Sequence, residues 1–222
     1  MRTNKLKAKL EKKELTIGSW ITIGHLAIPE ILSNAGFDWL TIDMEHTTID
    51  YYTAEILISV IQAKGMSALV RVSKNDEVCI KQVLDAGADG VIIPMVNTKN
   101  DAENAVKYSK YPPEGARGVG LSRAQNYGLA KGFEKYTEWL KNEIVIIAQI
   151  EHSEGVENLE EIISTEGIDG VMVGPYDLSA SLGFPGDYNN VNVKAALRRI
   201  QTTCHAKEKV LGFHVVPAES DL

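Results

Sequence analysis

Ala35-Gly36-Phe37-Asp38-Trp39-Leu40-Thr41-Ile42-Asp43-Met44-Glu45-His46 carries the fold in miniature. A helical pattern ends at Ala35, and Gly36 supplies the left-handed residue that a helix C-terminus favours. Trp39–Asp43 then runs apolar with little alternation, as a parallel strand covered on both faces does. Polar residues follow at once. The phrase returns as Ala86-Gly87-Ala88-Asp89 before Gly90–Val96, and in a variant as Glu166-Gly167-Ile168-Asp169 before Gly170–Val173. Outward from these seams, the strand pattern recurs at Ile17–Ile23, Ser67–Val72, Ile144–Glu151 and Val210–Val216. Helical patterns fill the intervals: His25–Asn34, Tyr51–Ala63, Asp76–Asp85, Lys99–Lys110, Phe133–Lys141, Val156–Ser164 and Val193–Lys207.

Serial βα units without a composition break predict one domain over residues 1–222 and one parallel sheet, either a closed barrel or an open doubly wound sheet. No Gly-x-Gly-x-x-Gly follows the first strand, and charged residues gather at the C-terminal ends of several strands, where barrel active sites lie. Both points favour a TIM-type (β/α)8 barrel. Seven strands can be counted against the eight of a closed barrel, so a last βα unit of roughly 25–30 residues is expected to be lacking after Val216.

Composition narrows the partners. The chain has 222 residues, 44% of them apolar, and a net charge of −7, which argues against nucleic acid or an anionic membrane as partner. Small anionic substrates are not excluded, because a site can be locally positive. No apolar run approaches the ~18 residues of a membrane span. Met1–Glu14 is charged and helix-prone, with no apolar core of a signal peptide. The two cysteines, Cys79 and Cys204, lie far apart and read as reduced thiols of a cytoplasmic protein.

The chemistry-bearing residues sit at strand ends. Asp43 and Glu45 share a face of the second strand, and His46 follows. Asp43 can orient the imidazole and raise its basicity for proton abstraction, or His46 is a surface residue beside acids. Arg71 lies in the apolar run Leu69-Val70-Arg71-Val72; it either steadies an enolate oxygen or forms a rim salt bridge, for instance to Glu45. Gln149 and Glu151 share a face at the end of the fifth strand. A carboxylate there coordinates a cation, pairs with Arg71, or caps the next helix. Gly174-Pro175-Tyr176-Asp177 allows close approach of a ligand, with Asp177 as ligand or N-cap. His25 could line the site, His152 reads as a rim residue, His205 as surface and His214 as barrel interior. Arg117 to Arg123 reads as a glycine-rich loop with surface arginines or as an anion-contacting rim; the Lys-Ser/Thr ending of a P-loop is missing.

Together these residues resemble the HpcH/HpaI aldolase family. The resemblance runs from Gly18-Ser19-Trp20 to Gly212-Phe213-His214. It rests on Asp43-x-Glu45-His46, Leu69-Val70-Arg71-Val72, Pro94-Met95-Val96, Tyr111-Pro112-Pro113-x-Gly115-x-Arg117-Gly118, Gln149-Ile150-Glu151 and Gly174-Pro175-Tyr176-Asp177-Leu178-Ser179. The resemblance implies a divalent-metal-dependent aldolase that cleaves or forms 4-hydroxy-2-oxo acids from a pyruvate-type 2-keto acid and an aldehyde. It makes Glu151 and Asp177 the ligands of Mg²⁺, Mn²⁺ or Co²⁺, His46 the proton acceptor and Arg71 the transition-state stabiliser. It places Gln149, Gly174, Pro175 and Tyr176 at the substrate, where Trp20 could exclude water. It makes Asp85 an acid that raises the histidine's basicity, which Asp85 reaches only across a subunit contact in a homo-oligomer, a hexamer in the family. No strand end offers a lysine for a Schiff base, which favours the metal mechanism. The rival expectations are a citrate-lyase-β-like acyl-CoA lyase, against which the Asp43–His46 pair argues, and a truncated, non-catalytic barrel remnant.

Overall fold

The structure is a computed structural model and describes residues 3–215. The chain runs α1 (Lys5–Glu11), β1 (Gly18–Ile21), α2 (Ala27–Leu32), β2 (Trp39–Asp43), α3 (Tyr51–Ala63), β3 (Ser67–Arg71), α4 (Glu77–Asp85), β4 (Gly90–Ile93) and α5 (Lys99–Ser109). It continues through α6 (Gly132–Glu143), β5 (Val145–Ile150), α7 (Ser153–Glu157), α8 (Leu159–Ser164), β6 (Gly170–Val173), α9 (Pro175–Ser181), α10 (Val191–Ala206) and β7 (Val210–Phe213). The seven strands form one parallel sheet in sequence order, β1 to β7. The sheet curls like a TIM barrel. Trp20 of β1 stacks on His214, just past β7, with ring centroids 4.3 Å apart, so the two edges face each other across the opening. Val216 and the residues after it, where the last βα unit was expected to be lacking, lie outside the described residues.

Period-two alternation divides the strands between two cores. Ile42, Val70, Ile93, Ile146 and Val171 pack under the helices. Leu69, Ile92, Val145, Ile147 and Met172 point inward with Trp20 and Trp39. Inward positions also hold glycine where a large neighbour takes the space; a Cβ on Gly18 would lie 2.1 Å from the Trp39 ring. The helical pattern expected at Val156–Ser164 is two helices, α7 and α8, meeting at Asn158.

The recurrent Gly-x-Asp phrase is a register clamp. Asp38 donates its own N–H to the Ile17 carbonyl at 2.8 Å and accepts the Ile17 N–H on its carboxylate at 2.9 Å. Asp89 holds Ala68 in the same two ways, at 2.8 Å each, and Asp169 holds Ile146 at 2.9 and 2.8 Å. Each clamp joins an even-numbered strand to the one before it.

The same acids anchor α1 across the strand-entry end. Lys9 bonds Asp38 at 2.6 Å, and Lys7 bonds Asp169. Asn4 caps α1 and donates to the carbonyls of Asp89 and Glu143 at 2.9 and 2.8 Å. Leu6 and Leu10 then fill the floor of the inner core. The charged start of the chain is thus a plug for the barrel base. Leu6→Ala should lower stability by about 2–4 kcal/mol in urea unfolding. Lys12→Ala, on the exposed side, should stay within about 0.5 kcal/mol. Equal effects would remove α1 from the core.

Candidate active site

Asp43 and Arg71 are register partners on β2 and β3, and both side chains point inward at the strand-exit end. The guanidinium donates to the two carboxylate oxygens of Asp43 at 3.0 Å from Nε and 2.7 Å from the terminal nitrogen. The pair is buried, with side chains 6% and 4% exposed. Burial alone would raise the Asp43 carboxyl. The bonds and charge of Arg71, with the N–H groups of Glu45 and His46, hold it below the ordinary value instead. Trp20 covers the open face of the guanidinium at 4.6 Å and is itself backed by His214. Burial, then the charge of Arg71, pushes the His214 imidazole below the ordinary histidine range.

This geometry redirects one expectation. Asp43 does not meet the His46 imidazole; its oxygens are used by Arg71 and by the turn. The imidazole is 64% exposed, and its Nε2 lies 3.6 Å from Glu45 Oε2. That oxygen is also 3.4 Å from Arg71 Nε, so the rim salt bridge foreseen for Arg71 is present as well. Burial first, then the negative charge of Glu151, pushes the Glu45 carboxyl up to about 7, against the pull of Arg71.

Glu151 caps no helix, since His152 fills that position for α7. It is held by two donors, the Met95 N–H at 2.7 Å and the Gln149 amide. Met95 reaches it only by taking a left-handed backbone, φ +52°. Gly174 makes room: a Cβ there would stand 3.0 Å from Glu151 Oε2 and 3.3 Å from Gln149 Nε2. Burial, with the charge of Asp177 adding to it, raises the Glu151 carboxyl despite its donors. Asp177 lies in the first turn of α9 but does not cap it, because Gly174 is the cap residue and uses no side chain. Among the described residues its carboxylate accepts no hydrogen bond, and it is exposed. Pro175 is buried beneath it, while Tyr176 is exposed at the mouth.

Three inward oxygens, Thr41 Oγ1, Glu45 Oε2 and Gln149 Oε1, are buried without a hydrogen bond, Glu45 Oε2 having only its ion-pair contacts with Arg71 and His46. One guanidinium therefore faces the acids Asp43, Glu45, Glu151 and Asp177 around unsatisfied oxygens. Among the described residues no three His, Cys, Asp or Glu side chains group tightly enough to hold a metal unaided. Glu151 takes the Gln149 amide as a donor and feels the charge of Asp177, so these three side chains lie in one region of the rim.

Asp85 stands apart, at the end of α4 and hence at the strand-entry end. It binds Arg117 and the Gln125 amide. Arg117 is no surface arginine and no anion-contacting rim: it is 1% exposed, between the rings of Tyr111 and Tyr136 at 4.9 and 5.4 Å. Arg123 bonds the Ala86 carbonyl and Gln62. His25 and His152 accept backbone N–H groups in local turns, and His205 is exposed.

A curled parallel α/β sheet with an acid–arginine site at its strand-exit rim has the layout of a TIM-barrel-like enzyme, whose active site lies at that end. The HpcH/HpaI aldolase/citrate lyase family model matches residues 16–221. A 5-keto-4-deoxy-D-glucarate aldolase of Escherichia coli O139:H28 is 40% identical over 219 residues, 98% of this chain and 84% of the relative. A Burkholderia cenocepacia J2315 protein of the HpcH/HpaI aldolase/citrate lyase family superposes with a TM-score of 0.90 at 34% identity, covering 95% of this chain and 84% of the other. The citrate synthase SbnG superposes at 0.86 and 30%, covering 97% and 84%. The chain belongs to the HpcH/HpaI aldolase/citrate lyase family. It is an enzyme of the carbon–carbon lyase class.

A raised carboxyl pKa means that the folded state binds its proton more tightly than the unfolded chain. Stability from Glu45 is then full below about 4.5 and is lost as pH rises toward about 7. Glu151 acts in the same direction. Metal-free protein should therefore lose melting temperature between pH 5 and pH 7.5 by more than its Glu45→Gln variant does. Parallel pH slopes would show that Glu45 is not under this strain.

Proposed function

We propose that the chain is a divalent-metal-dependent aldolase that cleaves or forms 4-hydroxy-2-oxo acids, with a pyruvate-type 2-keto acid and an aldehyde as reaction partners. The observation that carries this is the excess of acids over the single guanidinium, with buried oxygens beside them that make no hydrogen bond. Such a set is costly in a low-dielectric interior unless a cation enters it. The 5-keto-4-deoxy-D-glucarate aldolase relative supports an aldol reaction.

Glu151 and Asp177 would hold Mg²⁺, Mn²⁺ or Co²⁺, hard cations that take oxygen donors. When bound, the ion supplies Lewis acidity to the keto group of the substrate. The residues of the chain do the rest. Gln149 and the backbone around Gly174 and Pro175 seat the keto acid, and Tyr176 lines the entrance. His46 accepts the proton from the carbon next to the keto group. Arg71 keeps guanidinium N–H groups beyond those spent on Asp43, and these steady the oxygen on which negative charge develops. Trp20 covers the guanidinium and keeps water from it. Asp43 serves by fixing Arg71. Asp85, bound to Arg117 at the far end, acts on His46 of the partner subunit in a homo-oligomer. We read the enzyme as cytoplasmic; the free thiols of Cys79 and Cys204 support this, and no helix among the described residues is long and apolar enough to cross a membrane.

His46→Ala should slow hydrogen exchange at the pyruvate methyl group by about 10²–10⁴-fold, with metal affinity nearly unchanged. Equal loss of both would remove His46 from the role of base. EDTA should abolish turnover and Mn²⁺ or Co²⁺ restore it. Activity that survives chelation, with trapping by borohydride, would mean an imine mechanism.

A further inference from the structure

The His46 imidazole is exposed on a short tether, and a ring free to turn makes a poor base. Asp43 cannot hold it, because both of its oxygens are engaged by Arg71 and one also takes the N–H groups of Glu45 and His46. The neighbouring acid is placed differently. Glu45 Oε2 lies 3.6 Å from His46 Nε2 and 3.4 Å from Arg71 Nε, a single atom between both groups. The same oxygen is buried and makes no hydrogen bond, so its acceptor capacity is unspent. Hydrogen bonds of catalytic groups are commonly long in the free enzyme and tighten once substrate is bound. The backbone of Glu45 is already fixed, since Asp43 Oδ1 accepts its N–H at 3.0 Å.

We propose that Glu45 is the positioning residue of this site, its Oε2 joining the His46 imidazole to the Arg71 guanidinium. The inference rests on the aldolase reading given above. A bond from Nε2–H to Glu45 fixes the tautomer that carries its proton on Nε2 and leaves the Nδ1 lone pair open. The proton leaving the substrate's methyl carbon goes to Nδ1, and the C–H electron pair stays on the substrate as the enolate. In the reverse direction Nδ1 returns that proton. Because Arg71 shares the oxygen, base and oxyanion donor keep a fixed relation to each other. The chain of control runs from Arg71 to Asp43, to the turn, to Glu45 and back to His46 and Arg71.

The test uses the metal-loaded full chain with pyruvate as probe, comparing wild type, Glu45→Ala, Glu45→Gln and His46→Ala. Exchange of the methyl hydrogens, the kcat and KM of aldol cleavage, and Mn²⁺ affinity are measured together. Glu45→Ala should lose about 100-fold in exchange and kcat, with KM and Mn²⁺ affinity within about threefold of wild type. Glu45→Gln keeps an acceptor oxygen at the shared position and should recover at least about tenfold of that loss. If Glu45→Ala does not fold, Glu45→Met fills the same volume without an acceptor and replaces it. Exchange within about twofold of wild type in the acceptor-free variant would overturn the assignment. So would a parallel loss of Mn²⁺ affinity, which would make Glu45 a metal ligand. A Gln variant as poor as Ala would also overturn it, since charge rather than a shared acceptor would then be at work. If His46→Ala leaves exchange intact, the base itself was misassigned and the inference falls with it. If His46→Ala abolishes exchange while both Glu45 variants keep it, the base stands and only the role of Glu45 fails.

Discussion

A permanently charged guanidinium cannot be left alone inside a barrel, and the site is built around that constraint. Arg71 does not shed its charge at any working pH, so burying it demands a carboxylate in fixed geometry. The register of β2 and β3 sets Asp43 directly beside it, and the two meet through a pair of parallel bonds. The consequences spread along the chain. Asp43, committed to Arg71, also holds the N–H groups of the turn that follows and so places Glu45 and His46. Trp20 closes over the guanidinium and draws β1 into the arrangement. His214 backs Trp20 and brings in the far edge of the sheet at β7.

Charge balance follows from the same pair. Arg71 neutralises Asp43, and that leaves Glu45, Glu151 and Asp177 without a full counter-charge. The carboxyls of Glu45 and Glu151 are raised first by burial, and the neighbouring acids add to it. A proton restores the balance, and in the reading proposed above a metal ion would do so while leaving the carboxylates charged at neutral pH. Buried acids in excess cost the fold stability, as functional sites commonly do.

The strands, their order and the rim were legible in the sequence because each rests on local pattern. Unalternated apolar runs marked parallel strands, glycines marked helix ends, and charged residues at strand ends marked the mouth. Partner choice was not legible. Spacing puts Asp43 and Glu45 on one face of β2 but does not say that the first turns to Arg71 and the second to His46; the neighbouring strand decides that. Arg117 read as a loop arginine because Tyr111, Tyr136 and Asp85, which enclose it, are scattered over three helical and loop segments. The charged start of the chain read only as helix-prone, because its lysines serve Asp38 and Asp169, far along the sequence. The Gly-x-Asp seam was visible, but its work as a register clamp depends on backbone groups that no side-chain pattern reports.

The two proposed ligands are held very unequally. Glu151 is buried, receives an N–H from each of two residues, and depends on two backbone exceptions. Met95 takes a left-handed conformation to reach it, and Gly174 gives up a side chain to admit it. Strain of that kind persists only where the surrounding structure over-determines it. Asp177 is exposed on the first turn of α9, and among the described residues its carboxylate accepts no hydrogen bond. One carboxylate is thus fixed by the sheet before anything binds, while the other can adjust from a helix start. In the aldolase reading proposed above, the fixed carboxylate would set where a cation sits relative to Arg71, and the exposed one would leave room for the keto acid beside it.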